Sequence, residues 1–157
     1  MLPDDAPLLA AIFRASIEEL TGDYYTDAQQ DAWMSAADDE EGFGARLAGD
    51  LTILALLDRE PVGFASLRDN NHIQMLYVAP GAARRGVGTA LVSALEALAA
   101  ARGTNIITAD ASDSARALFI RLGYTALHRN TVSRGGEWLG NTAMQKALSP
   151  LAKGTLQ

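Results

Sequence analysis

From Tyr77 to Gly103 the chain reads YVAPGAARRGVGTALVSALEALAAARG, an apolar strand-like run, a loop with two arginines and three glycines, and a long helix. A strand, a Gly/Arg loop and a helix N-terminus in that order suit the binding of an anion. Gly86 and Gly88 remove side chains that would hold a ligand off the backbone, and they permit positive φ. The N–H groups from about Arg84 to Ala90 then point outward, and the helix dipole favours negative charge at its start. Arg84 and Arg85 add guanidinium forks that match phosphate oxygens. The plain alternative is a tight β–α turn with two solvated arginines.

Spacing separates the known phosphate devices. Gly81 and Gly86 have the glycine spacing of a P-loop, but Val87-Gly88 stand where Lys and Ser/Thr are needed. Gly86 and Gly88 begin a dinucleotide fingerprint, yet Leu91 fills the third glycine position and the strand arrives from a meander. A pyrophosphate cradle made of backbone amides is what remains.

The elements that position this loop follow from periodicity. Leu8, Ile12 and Ile17–Leu20 mark one helix, TDAQQDAWM a second with Thr26 or Asp27 as N-cap, and DDEEGFGARLAG a third with acidic residues at its start. LTILALLD, VGFASLR and HIQMLYV then read as an antiparallel meander, turning at Arg59-Glu60-Pro61 and Asp69-Asn70-Asn71. Leu91, Val92, Leu95, Leu98 and Ala99 form the stripe of the next helix, closed by Gly103. TNIITAD is a short buried strand, and DSARALFIRLGY a helix with Asp113 as N-cap and Gly123 at its end. TALHRNTV and NTAMQKAL complete the order as two strands around Arg134-Gly135-Gly136. The expected architecture is α/β, a mixed sheet with helices on both faces, in one domain covering residues 1–157.

Composition narrows the chemistry. The chain has 157 residues, 48% hydrophobic and 20% charged, with net charge −6. That charge argues against a nucleic-acid partner, whose affinity comes from phosphate neutralisation. No apolar run reaches the ~18 residues of a membrane span. The acidic N-terminal stretch MLPDDAP does not read as a signal peptide. There is no Cys, which suits the cytoplasm and removes thiolate metal sites and thiol nucleophiles, and His72 and His128 are the sole histidines. No metal site is expected.

LYVAPGAARRGVGTALVSAL followed by SARALFIRLGY resembles the GNAT superfamily of acetyl-CoA-dependent N-acetyltransferases. The family pattern is roughly V-x-P-x-x-[QR]-x-x-G-x-[GA] on the fourth strand and third helix, with a later N/S-x-x-A-x-x-x-[YF]-x-x-x-G-[FY] helix. The likeness runs from about Leu8 to Leu148, element order included. It implies a mostly antiparallel sheet splayed between the fourth and fifth strands. It also implies that the first edge strand is missing here, because relatives carry one before the first helix.

Residue by residue, the resemblance implies that the amides of Arg85, Gly86, Val87, Gly88, Thr89 and Ala90 hold the coenzyme A pyrophosphate. The backbone of Leu76, Tyr77 and Val78 would bond the pantetheine arm, and the amide of Tyr77 or Leu76 would steady the oxyanion. Ser114, Ala115, Leu118, Phe119 and Arg121 would line the cofactor's far side. Ala83 stands where the motif has Gln or Arg, so Arg84 or Arg85 must compensate. Phe119 occupies the place where many relatives have a tyrosine that protonates the leaving thiolate; it reads equally as a core residue.

For the acceptor, the resemblance implies a small-molecule or peptide amine, and for assembly a homodimer through the terminal strands. Gln74 sits where a base would be well placed, but an amide can only orient a water or hold the acceptor. Alternation puts His72, Gln74 and Leu76 on one face of their strand and Ile73, Met75 and Tyr77 on the other. His72 is a base candidate or an exposed strand-start residue. Glu137, beside Trp138 on the acceptor side, is a second base candidate or a turn residue. Asp110 reads as a cap for the turn after its strand, and His128 as a half-buried strand residue. Tyr24, Tyr25, Gln29 and Trp33 are spaced to line an acceptor pocket or to pack between helices.

Overall fold

The computed structural model of the chain describes residues 3–149. Helix α1 (Ala6–Leu20) buries the stripe Leu9, Ile12, Phe13 and Ile17. Helix α2 (Asp27–Met34) opens on a capping box in which Thr26 Oγ accepts from the Gln29 N–H and Gln29 Oε1 accepts from the Thr26 N–H. Helix α3 (Glu40–Gly49) is capped by Asp39, with Glu40 and Glu41 in the dipole-favoured first turn.

Strands β1 (Leu51–Leu57), β2 (Glu60–Arg68) and β3 (His72–Val78) form the meander. Its first turn is Asp58-Arg59, both at positive φ, so Glu60 and Pro61 already belong to β2 rather than to the turn. Helix α4 (Val87–Ala101), strand β4 (Ile106–Ser112), helix α5 (Arg116–Arg121) and the hairpin β5 (Thr125–Arg134) and β6 (Glu137–Ala147) follow.

The sheet order is β1-β2-β3-β4-β6-β5, and every neighbouring pair is antiparallel except β3 with β4. That parallel pair meets only at His72↔Thr108 and Ile73↔Ala109, after which the strands part. No strand precedes α1 among the described residues, so the expected splay falls between the third and fourth strands. Helices α4 and α5 cover one face, over a core that includes Leu67, Leu91, Leu95, Ile107 and Phe119. Helices α1, α2 and α3 cover the other, over Phe13, Phe43, Leu47 and Phe64.

One local irregularity decides which side chains meet at the splay. The β2–β3 register passes from Ser66↔Met75 to Leu67↔Ile73, leaving Gln74 as an unpaired bulge residue. Simple alternation therefore fails below Met75. Ile73 is buried with Leu76 and Val78 in the α4-side core, while Met75 and Tyr77 pack under α1. His72 moves to the α1 side and is half-buried against β4, not a free strand-start residue.

Two further expectations are corrected. Asp113 does not cap α5; its carboxylate grips Arg129 through two bonds of 2.6 and 2.8 Å, and Ser112 Oγ accepts the Ala115 N–H instead. His128 is exposed rather than half-buried, because β5 is the edge strand and nothing covers that stretch of it.

Candidate active site

A groove of about 490 Å³ runs from the head of α4 along β3 to α5. The first helical bond of α4 is Ala90 N–H to Gly86 C=O at 3.0 Å, so the N–H groups of Val87, Gly88 and Thr89 have no acceptor within the helix. Gly86 precedes them at φ 79 and offers no capping side chain. Arg84, also left-handed at φ 64, turns the loop into this position. A Cβ on Gly88 would lie 3.1 Å from Leu118 Cδ2, so glycine is what lets α5 close against the first turn of α4. A bare helix N-terminus, a positive-φ glycine and an arginine make an anion seat.

Most of the residues expected around a cofactor do line this groove. β3 supplies Leu76, Tyr77 and Val78, and the loop with the helix supplies Arg84, Gly86, Val87, Gly88 and Thr89. The stretch after β4 supplies Ser114, Ala115, Leu118 and Arg121. Arg85 and Ala90 are exposed outside it. Phe119 is absent from the groove lining; it is 3% exposed, packs edge-on against Tyr124 at 5.0 Å, and lines a smaller cavity deeper in the splay. Tyr124 is no substitute proton donor for the groove. Its hydroxyl bonds Glu96 Oε2 at 2.8 Å, Lys146 bonds the same carboxylate, and burial pushes the phenol well above its ordinary range.

Trp33, Leu76, Tyr77 and Ala115 are shared with a second, smaller cavity of about 160 Å³ lying in the splay itself. His72 Nδ1 is 2.7 Å from Thr108 Oγ, and His72 Nε2 is 3.6 Å from Asp110 Oδ2. Thr108 Oγ donates in turn to the Asn71 carbonyl, which favours the Nδ1–H tautomer and leaves Nε2 directed toward Asp110. Gln74, exposed by the bulge, lines the same cavity.

Aromatic residues close the α1 side. Trp33 Nε1 donates to Tyr77 Oη at 3.1 Å, and the Tyr77 ring stacks edge-on against Phe13 at 4.7 Å. Burial raises the Tyr77 phenol to about 12, only partly opposed by the bond from Trp33 and the charge of Arg134. Tyr25 Oη donates to the Gly140 carbonyl at 2.7 Å and accepts the Asp113 N–H at 2.9 Å. It thus ties the α1–α2 connection to the tips of β4 and β6. Its phenol is also raised, chiefly by burial.

Other acceptor candidates lie elsewhere. Tyr24 is 56% exposed and lines neither cavity. Gln29 is spent on the α2 cap and on a 2.8 Å bond from Nε2 to the Trp138 carbonyl. The Trp138 ring is 64% exposed, and Glu137 is half-buried at the hairpin end, lining neither cavity. Conversely, Arg134, Ser112 and Asn141 line the inner cavity and carried no functional reading in the sequence. Counting forward by two from Val132 and from Leu139 would have found Arg134 and Asn141 on the inward face.

The site is thus an open mixed sheet parted at one parallel pair, with an anion seat at the head of the gap. The model of the GNAT acetyltransferase domain matches residues 21–148, and the chain belongs to that family. It is 33% identical over 143 residues to the uncharacterized N-acetyltransferase YafP of Escherichia coli K12, covering 91% of this chain and 90% of that one. It is 59% identical to a GCN5-related N-acetyltransferase of Rhodopseudomonas palustris of known structure, with a TM-score of 0.93 over 94% of this chain and 92% of that one. The fold is shared with the PaiA N-acetyltransferase of Thermoplasma acidophilum, solved in complex with coenzyme A, at 16% identity and a TM-score of 0.75, covering 94% and 95% of the two chains.

Proposed function

We propose that this protein transfers the acetyl group of acetyl-CoA to a primary amine by direct attack in a ternary complex. The observation that carries the reading is continuity. The bare N–H groups of α4 head a groove that follows β3 into the inner cavity, where residues 74–78 have no strand partner on the β4 side. The pyrophosphate sits at α4, held by amides and by Arg84. The pantetheine arm takes the place of a strand beside Leu76, Tyr77 and Val78. The thioester then enters the splay, where an amide of β3 meets its carbonyl oxygen.

In the inner cavity the amine nitrogen attacks the thioester carbon, the C–S bond breaks, and the thiolate leaves. The proton lost by the nitrogen goes to His72 or, through it, to Asp110. Gln74 holds the acceptor or an intervening water. Positioning and oxyanion stabilisation supply most of the acceleration. Phe119 donates no proton, and a thiolate leaves readily without one.

Thermal shift with CoA, acetyl-CoA, NAD and ATP at matched concentrations tests the donor half. A ligand at 100 times its dissociation constant adds about 2.7 kcal/mol, so both CoA species should raise Tm while NAD and ATP do not. Release of free thiol with a panel of amines tests the acceptor half. A shift with CoA and no turnover of any amine would leave an acyl-CoA-binding or sensing domain. No shift with either CoA species would overturn the whole reading.

A further inference from the structure

The inner cavity holds three charged or chargeable side chains besides its two phenols: His72, Asp110 and Arg134. His72 and Asp110 face each other across 3.6 Å and answer the needs of an amine. Arg134 answers nothing within the protein. Its side chain forms no ion pair and no hydrogen bond among the described residues, and Glu137, opposite it in the hairpin register, forms no ion pair with it. Arg134 is exposed and lines the cavity, so its uncommitted fork is open to an anion entering there, and that fork suits a carboxylate better than a lone lysine charge would. Its field reaches the cavity, since it works against burial at the Tyr77 hydroxyl.

We infer that the acceptor is a small amino acid-like molecule, its carboxylate held by Arg134 and its amine presented to His72 and Asp110. The inference rests on the acetyltransfer reading above and narrows it. A polyamine would bring several positive charges to a cavity with one carboxylate and a competing arginine. A peptide N-terminus would bring an amide where Arg134 asks for a carboxylate. The cavity of about 160 Å³ also suits a small molecule.

The test compares kcat/KM for the standard amino acids, each beside its own carboxamide, with spermidine as the polyamine. The best amino acid should exceed its carboxamide by about 30-fold, the worth of one charged hydrogen-bonded pair. In Arg134→Gln that ratio should collapse toward one through a rise in KM, and Arg134→Lys should restore part of it. A retained CoA-induced Tm shift shows that each variant is folded. Equal or better rates with carboxamides or spermidine, or a ratio that survives in Arg134→Gln, would overturn the inference. So would failure of every amino acid in a protein that still shifts with CoA, and there the donor reading stands. Loss of the CoA shift in the parent protein takes both down.

Discussion

The groove at the head of α4 and the cavity in the splay are built from different materials. The groove is largely backbone: bare N–H groups, two glycines, a left-handed arginine and the unpaired side of β3. Its anion seat and β3 wall come from one continuous stretch of chain, with residues of α1, α2 and the α5 region closing the sides. The cavity is largely side chain, and its parts arrive from the α1–α2 connection, α2, β3, β4, the α5 region and the β5–β6 hairpin. A backbone site tolerates many sequences as long as nothing fills it. A side-chain site can be re-specified by single substitutions.

The sharpest way to break this contrast is to fill the backbone site. Gly88→Val puts a branched side chain against Leu118 and into the anion seat. It should weaken CoA binding ~100-fold, about 2.7 kcal/mol, by calorimetric titration. A small effect would mean that the amides of α4 are not the contact.

Next comes the strut between the regions. Tyr25→Phe removes the bond to Gly140 and leaves the Asp113 N–H unpaired, so unfolding free energy should fall by about 2 kcal/mol in urea. Acceptor KM should rise more than acetyl-CoA KM, because the strut shapes the cavity and not the groove.

Tyr77 gives a subtler handle. Its phenol is raised from 10.0 to about 12, so between those values the folded state keeps a proton that the unfolded state has lost. Stability from this group is therefore complete below pH 10 and declines as pH rises toward 12, by about 1.4 kcal/mol per unit. Tyr77→Phe should flatten that share of the alkaline slope, as denaturant titrations at pH 9 and 11 would show. An unchanged slope would put the titration elsewhere.

The smallest expected effect belongs to Arg84→Ala. One exposed arginine at a seat made of amides is worth about 1 kcal/mol, or ~5-fold in CoA affinity, and the loss should shrink at high salt. A loss as large as that of Gly88→Val would mean that charge, rather than backbone, holds the ligand.

The same contrast explains what could be read in advance. The strand–loop–helix of the groove is local, so its glycines, arginines and helix start lie together in the sequence. Element order and the splay followed from periodicity and from the resemblance. The inner cavity was legible only in part. His72 and Gln74 stand out by residue type, but strict alternation misplaces the foot of β3, because the bulge resets the count. Asp110 looked like a cap, yet it faces His72, because its neighbours Ala109 and Ala111 take the core side of β4. Gln29, Trp138 and Glu137 have suitable chemistry, but a cap, the solvent and a hairpin end claim them. Partners so distant in sequence are set by register, which composition does not carry.

Gln74 occupies one extra residue in a strand that otherwise counts evenly against its neighbour. That makes the foot of β3 a matter of odd and even. In a relative lacking the extra residue, a gap at Gln74 keeps the residues at the places of Ile73 and His72 on the faces they have here, whereas a gapless alignment would exchange the two faces. Acceptor chemistry across the family is therefore compared correctly only when β3 is counted from Val78 backward, with the bulge treated as a gap and not as a substitution.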